Sequence, residues 1–117
     1  QYLGWDADDP RVRSGVRFLL THPPRWADRE ADAYYWYYAS QACLHAGGPE
    51  WPKWNGVMRD FLIEKQQRRG RPEPGSWSPD FDIWGRDGGR LYTTCLSIYT
   101  LEVYYRHLPL YQQRAVR

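Results

Sequence analysis

The sequence lacks several features that mark common classes of protein. None of its apolar runs approaches the roughly 18 residues of a transmembrane helix, so no membrane span is predicted. Its net charge is +2, far from the strong basic bias of a dedicated nucleic-acid binder, so nucleic acid is not expected as a partner. Two cysteines occur, Cys43 and Cys95, without a C-x-x-C pair or a disulfide-dense pattern. Their redox state and the cell compartment therefore stay open.

Aromatic residues, in contrast, are abundant. Seven Trp, ten Tyr and three Phe make up 17% of the 117 residues, roughly twice the share in an ordinary soluble domain. Each large ring supplies much buried area, so a chain of this length can build one compact core, and a single domain over residues 1–117 is predicted. The densest aromatic block runs without interruption from Tyr34 to Tyr38, and it needs a structural or functional reason.

Apolar periodicity and capping residues predict an all-α fold with four main helices. Asp9 is a good N-cap, Pro10 suits the first helical position, and Gly47-Gly48 is a typical C-terminal stop. The predicted helices cover residues 10–21, about 31–46, a third segment that starts between 49 and 52, and about 90–106. A loop rich in Gly, Pro and Asp separates the third helix from the fourth, and the tail from Pro109 on is predicted to be irregular.

The four helices form two similar pairs, which predicts two helical hairpins. The first and third helices are amphipathic, whereas the second and fourth are apolar nearly all round, which is typical of helices buried on more than one side. Residues 17–22 (RFLLTH) and 60–65 (DFLIEK) align, and each is followed by a loop that ends in Trp, at Trp26 and Trp77. The predicted repeats are residues 10–48 and about 49–108.

The second repeat resembles the QW motif of the squalene-hopene cyclase and prenyltransferase repeats. In that family an outer helix ends in an aromatic-aliphatic pair and a Gln, and a Gly-x-Trp follows. The matching positions here are Phe61, Leu62, Gln66, Gly75 and Trp77, with a longer loop than the family's usual spacing. The first repeat is a degenerate copy, with Pro23 at the place of the Gln. The likeness extends over about residues 10–111 and takes the form seen in large bacterial repeat proteins without an assigned reaction.

This resemblance implies an α/α toroid, in which outer helices surround inner helices whose N-terminal ends face a central cavity. The second and fourth helices would be inner ones, so the block from Tyr34 to Tyr38 would mostly form the wall between helices. A complete ring has more helices than the four predicted here, and repeat units bury their faces against neighbours. We therefore expect a segment of a larger repeat protein that self-associates and that has missing repeats of its parent chain, or another protein, as partners.

Five residues near the starts of the two inner helices are candidates for ligand binding. The resemblance places these ends at the cavity, where aromatic walls grip an apolar ligand or a partner's side chain, or stabilise carbocations in a cyclase. Plain packing between helices is the alternative for each of them. The candidates are Tyr35, Trp36, Tyr38, Tyr92 and Thr93.

The run DADD near the beginning of the sequence resembles the acidic string with which the family's cyclases protonate a polyene. Asp6, Asp8 and Asp9 are therefore candidate catalytic residues, because clustered carboxylates can hold one proton at a raised pKa. The alternative is that Asp8 and Asp9 cap the helix that begins at Pro10, and the Thr-Ala of the cyclases is absent after the run. Since short motifs often match by chance, the cap is preferred and no catalytic residue is assigned.

No metal or other cofactor is predicted. The related protein prenyltransferases hold zinc with Asp, Cys and His, but both cysteines here lie in apolar helix interiors without a His or Asp at ligand spacing. The loop at Asp80, Asp82 and Gly85 begins like a calcium-binding loop, yet Leu91 stands where a Glu is needed. A solvated turn is therefore preferred there.

These features together favour a non-catalytic binding or scaffolding module that presents a concave aromatic surface within a larger repeat protein. The alternative is a fragment of a terpenoid-cyclase or prenyltransferase-like enzyme that acts on polyprenyl substrates. The acidic or metal-binding residues that such an enzyme needs are not recognisable in this sequence, so a non-enzymatic function is favoured. An apolar ligand is a further expectation for the aromatic surface.

Overall fold

The described part of the chain is all-α, with helices joined by loops, as the sequence predicts. The computed structural model describes residues 4–25, 31–70 and 73–112, and for residues 107–112 the backbone alone. The helices within these ranges are α1 (Pro10–Thr21), α2 (Ala33–Ala46), α3 (Glu50–Lys65) and α4 (Gly85–Gln112), with a short 3-10 helix at Pro79–Phe81. These ranges contain no β-strand, and a single parallel bridge joins Ala31 to Asp82. Trp26, predicted to end the first Trp-bearing loop, lies outside the described residues.

α1 begins and ends where the sequence predicts. The Asp9 side chain accepts a hydrogen bond from Arg11 N at 2.9 Å, which caps the first turn, and Pro10 occupies the first helical position. Val12 and Val16 are the buried residues of this helix, one turn apart on the side that faces the core.

α2 begins at Ala33, slightly later than the predicted start. Asp32 has an extended backbone (φ −135°, ψ 93°), and its side chain accepts from Tyr35 N at 2.9 Å, which makes it the N-cap. Ala31 is held outside the helix because it forms the bridge to Asp82. At the other end, Gly47 has a φ of 63°, a conformation that favours glycine and stops the helix as predicted.

α4 extends beyond its predicted C-terminal end. The sequence predicted a helix over about 90–106 and an irregular tail from Pro109, and this was wrong, because the helix continues to Gln112. A proline inside a helix removes one backbone hydrogen bond and clashes with the preceding turn, which is why the sequence predicted an end near Pro109.

α4 also has an additional first turn that the sequence did not predict. The backbone amides of Asp87 and Gly88 donate to Trp84 O at 3.1 and 2.9 Å, and this forms a turn of helix where a Gly-rich loop was expected. Gly89 then departs from helical geometry, with φ 69° and ψ −174°. The initial turn is therefore set at an angle to the long part of α4, which begins after Gly89.

α2 is the central helix of the fold, as expected for an inner helix. It packs against α1, α3 and α4. Its buried residues cover more than half of its circumference and are Ala33, Trp36, Ala39, Ser40, Gln41, Cys43 and Ala46. Large buried side chains from the neighbouring elements complete the core, and these are Trp54, Met58, Leu62, Trp77, Phe81 and Val103. The prediction that the second helix is buried on several sides is therefore confirmed.

α4 is buried on one side, although the sequence predicted burial on several. Its buried positions recur every three or four residues along one face and are Thr93, Ser97, Thr100 and Val103. On the opposite face Leu91 and Tyr105 are 78% and 74% exposed. The described elements cover one face of α4, through its contacts with α2, α3 and the 3-10 helix, and burial of its other sides against further repeats stays a prediction.

Gln66 and Trp77 fasten the connector between α3 and α4. The Gln66 side-chain amide donates to Gly75 O at 2.9 Å, and beside it Gly75 N donates to Gln67 O at 2.7 Å. Trp77 is 1% exposed, and its indole N–H donates to Leu62 O, in the last turn of α3, at 2.9 Å. The connector is thus anchored to the end of the helix that precedes it.

Candidate functional site

An open aromatic cleft lies where the start of α2 meets the start of α4. Its volume is about 480 Å³, within the usual range for small-ligand sites. It is lined by Tyr34, Trp84, Asp87, Gly88 and Tyr92. Tyr34 and Trp84 are 52% and 53% exposed, so both rings are accessible from solvent. We call this feature the aromatic cleft.

Asp82 holds the two sides of the aromatic cleft together. Its carboxylate accepts from Ala33 N at 2.6 Å and from Trp84 N at 2.8 Å, and Ile83 N donates to Ala31 O at 2.9 Å. The bonds from Ala33 N to Asp82 and from Ile83 N to Ala31 O fix the segment before α4 against the start of α2, and the bond from Trp84 N orders the segment itself. Tyr34 and Trp84 therefore reach the same opening from two segments that are distant in sequence.

Glycines shape the floor of the cleft through close approach. A Cβ on Gly88 would lie 2.5 Å from Tyr92 Cγ, so the Tyr92 ring occupies its position because residue 88 has no side chain. A Cβ on Gly85 would collide with the carbonyl oxygen of Pro79, which lets the first turn of α4 lie directly on the 3-10 helix. Substitution at either glycine would displace a wall of the cleft.

Carboxylates in and near the aromatic cleft influence the pKa of its Tyr92. Burial, followed by the charges of Asp82, Asp32 and the nearby Tyr34, raises the pKa of Tyr92 to about 12, so this phenol stays neutral. Burial also raises the pKa of Asp82, against the opposing effect of its hydrogen bonds from Ala33 N and Trp84 N. Asp87 adds a further carboxylate in the lining itself.

The five predicted ligand-binding residues are not gathered in one place. Tyr92 lines the aromatic cleft, and Tyr38 lies next to it on the surface, with its ring centroid 4.7 Å from that of Tyr34. Trp36 is 3% exposed and packs between Phe61, at a centroid distance of 5.1 Å, and Phe81, at 6.0 Å. Trp36 therefore belongs to the core and does not line the cleft.

Tyr35 and Thr93 also have structural contacts. The Tyr35 hydroxyl donates to His22 O at 3.2 Å, and its ring meets Trp54 edge-on at a centroid distance of 6.3 Å. Thr93 is fully buried, and its hydroxyl donates to Trp77 O at 3.0 Å. For Trp36, Tyr35 and Thr93 the geometry matches the alternative of packing between helices.

Sequence reasoning missed Trp84 and Asp87 as lining residues. Both fall in the segment DIWGRDGG, which was expected to be a solvated loop. The signal that could have located them is the bulky Trp84 directly before Gly85, since a large apolar residue in a polar loop often marks a contact.

The acidic run at the start of α1 has the arrangement of a helix cap. Arg11 donates from its backbone and side chain to Asp9, and these bonds, the side-chain one first, lower the pKa of Asp9 to about 2. Asp8 pairs with Arg13 at 2.9 Å, and the backbone oxygen of Asp6 accepts from Asp9 N at 3.0 Å. The prediction that this run caps α1 is confirmed for Asp9.

Within the described ranges, no three His, Cys, Asp or Glu side chains come together closely enough to hold a metal ion. Cys43 is completely buried, and burial, with a smaller effect from Glu50, raises the pKa of its thiol to about 12. It is therefore a protonated core residue, as expected from its place in an apolar helix. None of the helices in the described part of the chain combines the length and apolarity needed to cross a membrane.

Comparison with known proteins gives no relative for this chain. No family model matches it, and no curated protein or solved structure matches it at a significant level. α2 is buried on several sides and Trp77 is anchored to α3, and the toroid architecture stays a prediction.

Proposed function

We propose that this protein is a non-catalytic binding or scaffolding module, a segment of a larger helical repeat assembly that presents an aromatic surface to its neighbours. The observation that carries the proposal is a large exposed apolar surface on one side of α2 and α4. Its members are Tyr34, Tyr38, Leu91, Ile98, Tyr99 and Tyr105, each between 38% and 78% exposed. We call this surface the open face.

Ring contacts make the open face continuous from one helix to the other. The Tyr34 ring contacts Tyr38, Tyr38 contacts Tyr37 at a centroid distance of 5.1 Å, and Tyr37 contacts Tyr99 of α4 at 6.1 Å. Along α4 the residues Leu91, Ile98 and Tyr105 lie seven positions apart and so share one side of the helix. A contiguous apolar surface of this kind marks an interaction site on a soluble protein.

A neighbouring helical repeat is the occupant that fits this surface best. Repeat units cannot bury all their apolar faces alone, and stacked neighbours bury them in turn. α4 has the apolar composition of an inner helix but is covered on one side, so a further helical pair on the open face would complete its burial. The squalene-hopene cyclase type of α/α toroid is the architecture we propose for the assembled protein.

The position of the acidic run supports a binding module over a cyclase fragment. A carboxyl that protonates an alkene must carry a proton at neutral pH, which requires an apolar site and a raised pKa. Asp9 has a pKa lowered to about 2 and is therefore ionised, and the Asp8 side chain is 92% exposed. Turnover of a polyprenyl substrate that is abolished by Asp8→Asn would contradict the proposal.

Sedimentation velocity over a range of concentrations tests the proposal, with a second copy standing in for the neighbouring repeat. The unmodified chain is expected to self-associate in the micromolar range, because two open faces can bury each other. The double variant Leu91→Ser/Ile98→Ser should remain monomeric. The matched control Val57→Ser/Ile63→Ser removes two residues of α3 that are each 50% exposed, and it should associate like the unmodified chain.

Two results would contradict the proposal. A chain that stays monomeric at every concentration would show that the open face does not bind a copy of itself. Equal association of the two double variants would show that the interface lies elsewhere. Circular dichroism of each variant confirms that the helices are retained.

A further inference from the structure

The aromatic cleft combines three rings with a carboxylate at one end of the open face. The rings come from three different segments, with Tyr34 in α2, Trp84 before α4 and Tyr92 within α4. Aromatic faces attract cations electrostatically, and Trp and Tyr are the strongest of them. Since Tyr92 stays a neutral phenol, its ring takes part as an uncharged wall.

The charge around the cleft favours a cationic ligand over an anionic one. Asp87 lines the cleft, and the charges of Asp32 and Asp82 act on Tyr92. The helix dipoles place roughly half a positive charge at the start of α2 and of α4, which opposes cation binding. The three carboxylates supply more negative charge than this. Arg90 is engaged by an ion pair with Glu73 at 3.0 Å and by hydrogen bonds to Gln67 and Ser76, all residues outside the cleft lining.

The lining distinguishes between kinds of cation. A primary ammonium or a guanidinium needs several hydrogen-bond acceptors when it is desolvated. The lining consists of three aromatic rings, Gly88 and one carboxylate, Asp87. A quaternary ammonium has no N–H to satisfy, and its methyl groups pack against rings while its charge is attracted by them.

We propose that the aromatic cleft binds a quaternary ammonium group, gripped by Tyr34, Trp84 and Tyr92 and attracted by Asp87. This inference rests on the proposed function, because it assigns a ligand to one end of the same binding surface. Two sources share the chemistry, a choline-type small molecule and a trimethylated lysine carried by a partner protein.

Titration with choline, followed by two-dimensional NMR of the indole N–H groups, tests the inference. The Trp84 signal is expected to shift on binding, while the signals of buried indoles stay fixed. The neutral isostere neohexyl alcohol, in which carbon replaces the nitrogen, is expected to bind at least about tenfold more weakly, because it lacks the cation–ring attraction. The second part of the experiment titrates a trimethyllysine peptide and the same peptide with unmodified lysine. Whichever of choline and the trimethyllysine peptide binds more tightly identifies the source of the quaternary ammonium group.

Two variants and two controls locate the site. Trp84→Ala should abolish binding, read in this variant from the backbone N–H signals of Asp87 and Gly88 because the Trp84 indole is absent, and Asp87→Asn should weaken binding several-fold without altering the rings. Trp5→Ala removes an exposed Trp that lies under Arg11 outside the cleft, and Asp60→Asn removes an exposed acid of α3. Both controls should bind choline like the unmodified chain.

The inference is overturned if choline and its neutral isostere bind equally, or if neither choline nor the trimethyllysine peptide shifts Trp84. Sedimentation on the same samples separates this outcome from failure of the proposed function. Self-association that depends on Leu91 and Ile98, together with no ammonium binding, would remove the inference and leave the binding module. Ammonium binding without self-association would keep the ligand assignment of the cleft and remove the proposed interaction between repeats.

Discussion

Trp77→Ala is expected to lower the free energy of unfolding by about 3 to 5 kcal/mol, the usual cost of removing a large buried ring. The Trp77 side chain is 1% exposed and lies between α3 and α4. Its indole N–H donates to Leu62 O at 2.9 Å, and its backbone oxygen accepts from the Thr93 hydroxyl at 3.0 Å. Loss of the ring leaves a cavity at the point where the connector is fastened to both helices.

Urea unfolding followed by circular dichroism measures this effect, and two variants act as controls. Trp77→Phe keeps most of the ring and loses one hydrogen bond, so about 1 to 2 kcal/mol is expected, since Leu62 O still accepts from Gln66 N at 3.1 Å. Trp84→Ala removes a ring that is 53% exposed and should cost far less. A loss under about 0.5 kcal/mol for Trp77→Ala would mean that the ring is solvated, like an ordinary surface position.

Trp36→Ala is expected to cost about 3 to 5 kcal/mol as well, whereas Tyr34→Ala, two positions away, should cost at most about 1 kcal/mol. The contrast follows from the direction of the two rings. Trp36 is 3% exposed and stacks parallel to Phe81, while Tyr34 is 52% exposed and faces the aromatic cleft. The aromatic block therefore divides between the core and the open face, and this is the reason for its density.

The two α2 variants are compared by chemical unfolding and by sedimentation. Trp36→Ala should unfold at a much lower urea concentration, and Tyr34→Ala should unfold like the unmodified chain but associate more weakly. Similar losses of stability in both variants would show that the whole block is core. Tyr38→Ala, with its side chain on the same surface as Tyr34, should behave like Tyr34→Ala.

The parts of the fold that the sequence predicts are those set by local chemistry. The Asp9-Pro10 cap and the Gly47-Gly48 stop locate helix ends, because capping depends on a few adjacent residues. Trp77, which the sequence marks as the end of a loop, is buried beside the last turn of α3, and the Gln66 side chain donates to Gly75 O.

The parts that the sequence did not predict depend on contacts between distant segments. The first turn of α4 forms where the chain is held by Asp82, whose carboxylate binds Ala33 N, far away in sequence. The same contact brings Trp84 to the rim of the aromatic cleft. Gly89 reads as a loop residue in the sequence, yet it separates two helical segments with a φ of 69°. The cleft therefore appears only when α2 and α4 are placed side by side.

The division of the Trp rings between a hydrogen-bonded core and an exposed binding surface is the claim on which this account depends. Hydrogen exchange of the indole N–H groups, followed by NMR, tests it most directly. Trp54 donates to Ser40 Oγ at 2.8 Å and Trp77 to Leu62 O at 2.9 Å, both from rings that are 1% exposed. These two indoles should exchange orders of magnitude more slowly than those of Trp5 and Trp84, which are 39% and 53% exposed. Exchange of Trp54 and Trp77 at the rate of Trp84 would contradict the account.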